Sequence, residues 1–295
     1  HFDRLIVYAL LLVAVCILMQ SIYWRYCRKH FEECRFKLSF DREYWKEMSA
    51  FAGWNFIGCS ALLLKNQGVD ILLNLYFGPV VNAARGIAST VNRAISSFSG
   101  NFMTALNPQI TKSYAANDRE NVLSLVERGS RFSFFIMFIF ALPIFLEVDF
   151  VLTIWLQHYP EHTTNFVRLI LILSVIDIIS NTLVTLQSAT GKIRNYQLAV
   201  GVMMLMNFPL SYICLCFGGA PESVLVVAIF VSILCMMLRL YFVQQTTQFP
   251  IRRFLLRVCV RILLVVVASS VLPIIIHLNM EYGWYRFIVV GAISV

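Results

Sequence analysis

Charge is what this 295-residue sequence has least of: Asp, Glu, Lys and Arg make up 14% of it, against roughly 25% in soluble domains. A chain so poor in charge lacks the polar surface that a water-soluble fold must present. With 59% hydrophobic residues and a mean hydropathy of +0.74, it reads as an all-α integral membrane protein. Acid is scarcer than base, 16 residues against 24, for a net charge of +8. That excess does not point to nucleic acid, because the basic residues gather in short loops on one side of the apolar spans. There is no phosphate-binding glycine loop, which removes the support for direct ATP hydrolysis. No long outer loop carries the His, Arg or carboxylate clusters that a polysaccharide polymerase would need. None of the five histidines lies deep in a span, which disfavours an acyltransferase. No catalytic residue, resident metal or cofactor is expected, and the chain is not read as an enzyme. The eight cysteines lie in spans or in one basic loop, and nothing suggests disulfides. No signal peptide is visible, and the sequence opens on His1 and stops inside the apolar run Phe287–Val295. We therefore expect a piece of a longer chain.

What is present is a regular alternation of apolar spans and basic loops. Leu5–Trp24 is a clean spanning run of about 20 residues. The next stretch carries Arg25, Arg28, Lys29, Arg35, Lys37, Arg42 and Lys46, which marks it as cytoplasmic. Cys27, His30 and Cys34 within it offer three metal-ligand types with no nearby fourth, so a solvated basic connector is the better reading. Met48–Phe77 then leads out and Val80–Asn107 back in. Pro108–Arg131 is basic again, and Asp118–Gly129 is expected to be a short amphipathic helix at the interface. Phe132–Leu146, Phe166–Gln187, Tyr196–Phe217, Pro221–Val243, Phe254–His277 and a partial span from Tyr285 complete nine segments. Asn207 and Pro209 should break the Tyr196–Phe217 span, and Pro143 should kink its own. Glu147–Thr164 holds three acids, Trp155, Tyr159 and no Lys or Arg, and reads as an outer loop.

The hairpin Ala50–Asn107 is the exception to plain oiliness. Its tip, Phe77-Gly78-Pro79, is a turn signal between two long stretches. At 100° per residue Asn82, Arg85, Ser89, Asn92, Arg93, Ser96, Ser99, Gly100 and Asn107 fall within an arc of about 120°. Ala84, Ile87, Val91, Ile95, Phe98 and Phe102 take the opposite arc. On the first arm Asn55, Asn66, Gln67, Asp70 and Asn74 share a face, with Lys65 about 100° away from it. Folding at Gly78-Pro79 sets Arg85 level with the Asp70–Asn74 turn and Arg93 level with Lys65. An unpaired charge at a span centre costs about 2.5–3.5 kcal/mol on the mildest scale, so these groups should face a water-filled cavity rather than lipid. Small polar residues also serve plain helix packing, and Asp70–Arg85 also reads as a structural ion pair. Asp177 and Asn181, one turn apart in a later span, either reach the same cavity or bond a neighbouring helix.

The motifs of the hairpin carry a resemblance. Phe51-Ala52-Gly53-Trp54-Asn55, Gln67-Gly68, Asn74 and the run Phe77-Gly78-Pro79-Val80-Val81-Asn82-Ala83-Ala84-Arg85-Gly86-Ile87 resemble the Wzx-type oligosaccharide flippases. These form the polysaccharide-transporter branch of the multidrug/oligosaccharidyl-lipid/polysaccharide exporter superfamily. Asn107-Pro108-Gln109-Ile110, Lys112-Ser113-Tyr114, Trp155-Leu156, Ala189-Thr190-Gly191-Lys192-Ile193 and Tyr196 extend the likeness over nearly the whole chain.

The resemblance implies a two-lobed, MATE-like helical transporter whose central cavity opens alternately to each side. Residues 1–24 would be the last helix of the N-terminal lobe and 25–47 the cytoplasmic connector. Residues 48–243 would form a C-terminal lobe of six spans, and 244–295 two additional helices, the last truncated. It also implies an undecaprenyl-pyrophosphate-linked oligosaccharide as substrate, moved from inner to outer leaflet of a bacterial inner membrane for O-antigen or other surface polysaccharide. Membrane lipids and assembly proteins such as a polysaccharide polymerase are the implied partners, and no nucleic acid. The residues agree independently. A pyrophosphate needs cationic donors, which Arg85 and Arg93 provide, with Lys65 a weaker candidate. Sugars need amide and hydroxyl partners, which Asn66, Gln67, Asn74, Asn82, Ser89, Asn92 and Ser96 provide, with Asp70 beside them. The alternative is a multidrug or cation antiporter of the same superfamily, which would favour acidic residues where this chain has basic ones.

Overall fold

The hairpin forms as its turn chemistry dictates. The computed structural model describes residues 4–31, 34, 41–281 and 283–294. In it helix α2 (Arg42–Phe77) and helix α3 (Pro79–Ala115) are separated by Gly78 alone. Gly78 has φ of 81°, a left-handed backbone that a side chain would strain. Pro79 follows at the first helical position, where its missing N–H leaves no hydrogen bond unmade.

The chain forms two units, His1–Ser49 and Ala50–Val295. The first contains α1 (Arg4–His30), whose apolar side chains from Ile6 to Trp24 are exposed. His30 stacks on Tyr26 and its Nδ1 lies 3.0 Å from the Tyr26 carbonyl. Among the described residues no three His, Cys, Asp or Glu side chains gather as a metal site. Arg35 and Lys37 of the basic connector lie outside the described residues.

The second unit is built on α3, which packs against α4 (Arg119–Leu146) and α6 (Thr163–Ile179). Ile95, Met103, Leu106 and Ile110 of α3 meet Val126, Phe134 and Met137 of α4 and Phe166, Ile170 and Leu171 of α6 in one buried cluster. In a bilayer such contacts are held by close packing and internal hydrogen bonds, since lipid is as apolar as leucine. Ser99, wholly buried, donates to the Ser133 carbonyl at 3.0 Å, and Ser130 and Thr182 share a hydroxyl contact at 2.5 Å.

Two of the expected segments are corrected by these helices. Asp118–Gly129 is not a separate interfacial helix: Asp118 caps α4 by accepting from the Asn121 N–H at 3.2 Å, and α4 runs unbroken to Leu146. Gly129 lies buried inside this helix. A Cβ there would collide with the Leu106 side chain, so its smallness admits α3 at close range. Glu147–Thr164 is not all loop either, because Val148–Leu156 forms a short helix, α5, that buries Val148, Phe150 and Leu152.

Beyond α6, Ser180 interrupts the span before α7 (Asn181–Ala189). The next span breaks at Met206, between α8 (Arg194–Leu205) and α9 (Asn207–Cys216), beside the expected Asn207 and Pro209. Helix α10 (Ser223–Thr247) follows, then α11 (Ile251–Phe254), a π-helical turn at Leu255–Cys259, α12 (Val260–Asn279) and α13 (Trp284–Ser294). Seven helical stretches among the described residues are long and apolar enough to cross a membrane. Helix α3 falls outside that set although it has 37 residues, and its polar stripe is the reason.

Candidate substrate face

The two arms of the hairpin bring their polar faces to the same side. Asp70 of α2 and Arg85 of α3 form an ion pair, and Arg85 Nη1 also lies 3.5 Å from the Asn66 carbonyl. Arg85 is 9% exposed, whereas the Asp70 side chain retains 38% of its surface. The carboxylate thus holds one edge of the guanidinium, and the buried Nε has no hydrogen-bond partner. A guanidinium anchored on one edge keeps donors for a second anion.

Arg93 is held differently. It is exposed, and its Nη2 donates to Thr90 Oγ1, one turn earlier, at 3.0 Å. No acid pairs with it among the described residues. Eight residues on one helix separate it from Arg85, about 12 Å of rise. Between and around them Asn82, Ser89, Asn92 and Ser96 are half-buried, with Ser96 Oγ 3.4 Å from Asn92 Oδ1. Asn82 Oδ1 is buried and unpartnered. On α2, Asn66, Gln67 and Asn74 are exposed. The face therefore offers two arginines at different depths, with amides and hydroxyls between them.

Lys65 does not share this face. It is 5% exposed, and its Nζ reaches Ser232 Oγ on α10 at 3.4 Å. Ser232 in turn donates to Asp177 Oδ1 at 2.8 Å. Arg239 of α10 donates to Ser180 Oγ, and Ser180 itself donates to the Asp177 carbonyl. Lys65, about 100° off the stripe, thus turns inward into a buried network. Asp177 bonds the neighbouring helix, while Asn181 stays exposed. Other members of the stripe also serve packing. Ser99 bonds α4, Asn107 accepts from Thr185 at 2.8 Å, and Asn55 accepts from Gln197 at 3.3 Å.

Sequence periodicity passed over the interior partners, Ser232, Arg239 and Ser180. Arg239 carried a usable signal, a cation in the middle of an apolar span. The serines carried none, because a hydroxyl in a membrane helix is equally at home bonding its own backbone.

The MatE family model matches residues 62–213, from within the first arm of the hairpin to α9. No curated protein and no solved structure matches the chain.

Proposed function

Because the chain belongs to the MatE family and is a multi-pass transporter of the multidrug/oligosaccharidyl-lipid/polysaccharide exporter superfamily, we propose that it is a flippase for lipid-linked oligosaccharides. It would carry an undecaprenyl-pyrophosphate-linked oligosaccharide from the inner to the outer leaflet of the bacterial inner membrane. The observation that carries this reading is Arg93, an exposed cation on α3 that no acid pairs with among the described residues, on the same stripe as a half-engaged Arg85. A site for cationic drugs would repel its ligand there. A pyrophosphate would be held by charge-assisted hydrogen bonds, each worth about 1.5–3 kcal/mol, and the fork of arginine fits its paired oxygens. Asn66, Gln67, Asn74, Asn82, Ser89, Asn92 and Ser96 supply the donors and acceptors that sugar hydroxyls need. Asp70, already paired with Arg85, competes with the pyrophosphate for that guanidinium and so favours its release. MatE transporters are not enzymes, and the work proposed here is binding and release alone.

The test is reconstitution into vesicles with a fluorescent undecaprenyl-pyrophosphate oligosaccharide in one leaflet and an impermeant quencher outside. The proposal expects protein-dependent appearance of the label in the opposite leaflet. Export of a cationic dye without movement of the lipid would support the antiporter and overturn the flippase.

A further inference from the structure

Two buried glutamates, Glu127 within α4 and Glu147 capping its C-terminus, are held by residues from the last part of the chain. Glu127, 4% exposed, lies 2.6 Å from Arg253 Nε and 3.6 Å from Arg257 Nη1. Glu147, 2% exposed, lies 2.6 Å from both His277 Nδ1 and Arg286 Nη2. Between these two clamps α12 does not close onto the bundle. A cavity of about 620 Å³ separates it from α4, α6 and α10. Phe134, Phe138 and Phe145 of α4, Val175 of α6, and Ile262 and Val266 of α12 are among its walls, and Ser270 supplies the one hydroxyl.

The Glu127 end of this groove is strongly basic. Arg253, Arg257 and Arg261 recur every fourth residue and so share a helix face. Arg131 lies within electrostatic range of Arg128, Arg257 and Arg261 as well as Glu127. Among the described residues the Glu127 carboxylate forms ion pairs with Arg253 and Arg257. Arg128 and Arg261 are exposed and form no ion pair among the described residues. Arg131 donates to the Glu127 backbone carbonyl at 3.3 Å and to no carboxylate. One carboxylate against five guanidinium groups leaves an excess of positive charge at the mouth of an oily groove. Arg131 stands one turn before Phe134, and Arg261 directly precedes Ile262, so charge and groove adjoin.

We infer that this groove binds an anionic phospholipid of the bilayer, its phosphate among Arg128, Arg131, Arg257 and Arg261 and an acyl chain along α12. A free phosphate would leave the apolar wall uncovered, and a zwitterionic lipid would leave the charge uncompensated. The wall from Cys259 to Ile274 extends about 22 Å along the helix, deeper than the roughly 15 Å of one leaflet's hydrocarbon. The basic end belongs to the cytoplasmic leaflet by the charge rule, the leaflet that carries anionic lipid. The site lies on α4 and α12, away from the α2–α3 stripe, and does not depend on what that stripe transports.

The test is thermal unfolding of the purified, delipidated chain in neutral detergent, titrated with phosphatidylglycerol or with phosphatidylcholine, with bound lipid counted by native mass spectrometry. Phosphatidylglycerol should raise the midpoint saturably and remain bound, whereas phosphatidylcholine should do neither. Arg261→Gln, which breaks no ion pair, and Arg257→Gln should each weaken the apparent affinity by about fivefold. Val266→Trp, which fills the groove and leaves the arginines in place, should remove the bound lipid. Lys192→Gln, on another loop, should titrate like the parent. Equal effects of the two lipids, or a titration unchanged by Arg261→Gln and Val266→Trp, would overturn the site. So would displacement of phosphatidylglycerol by stoichiometric undecaprenyl pyrophosphate, which would assign the groove to the transported lipid instead.

Discussion

Arg85 on α3 closes onto Asp70 on α2, joining the two arms of the hairpin beneath the Gly78 turn. The pair leaves Arg85 only partly engaged, and it couples the fold of the hairpin to the charge of the proposed binding face. Contacting residues show interaction energies of about 0.5–3 kcal/mol in double-mutant cycles. Asp70→Asn should therefore lower the thermal stability of the parent more than that of Arg85→Gln. Strictly additive losses would mean that the two side chains act independently in the membrane.

Lys65, Ser232 and Asp177 form the interior counterpart of that pair. Removing one partner of a buried charge pair costs about 3–5 kcal/mol, because the other is left uncompensated in a low-dielectric interior. Here a serine stands between the two charges, so the lower part of that range is expected. Lys65→Met and Asp177→Asn should each lower the unfolding midpoint in detergent, and the double variant should recover most of the loss. A double variant at the sum of the single losses would show that the serine bridge carries no charge coupling.

At the N-terminal ends of α6 and α10, Glu222 accepts from Asn165 Nδ2 at 3.0 Å and lies 2.6 Å from His162 Nδ1. Burial works against its ionisation, but the hydrogen bonds from Asn165 and His162 outweigh burial and hold its carboxyl below the ordinary value of 4.5. A depressed folded-state value means that this stabilisation is fully present above pH 4.5 and is lost as pH falls through the lowered value. Between roughly pH 5 and pH 3 the parent should thus lose more stability than Glu222→Gln, which has no such proton to take up. Parallel pH profiles for the two proteins, read by hydrogen exchange at Asn165 and Val224, would contradict the assignment.

The hairpin was legible because its signals are local. Gly78-Pro79 fixes the turn, and a 3.6-residue period places Arg85 and Asp70 on facing stripes. The extent of the helix after Asp118 was not legible, because a glycine such as Gly129 that admits a neighbouring helix looks in sequence like any other. The inward turn of Lys65 depends on Ser232, 167 residues later, and no periodicity within α2 names that partner. Glu147 likewise reads as an outer-loop acid until His277 and Arg286, from the far end of the chain, are folded against it. Local turns and faces could be read directly, whereas the buried ion pairs required the packing.

The flippase account rests on two cations, and their neutralisation tests it most directly. Arg93→Gln and Arg85→Gln should be purified, shown to unfold as cooperatively as the parent, and assayed for transfer of undecaprenyl-pyrophosphate oligosaccharide between leaflets. Loss of one charge-assisted contact of about 1.5–3 kcal/mol predicts a fall in rate of roughly tenfold or more in each. Arg93→Lys should recover part of it, because the charge survives without the planar fork. Ile95→Val, in the buried core of α3, should transfer at the parental rate. Parental rates in both glutamine variants, at equal protein per vesicle, would contradict the cationic face as the substrate site.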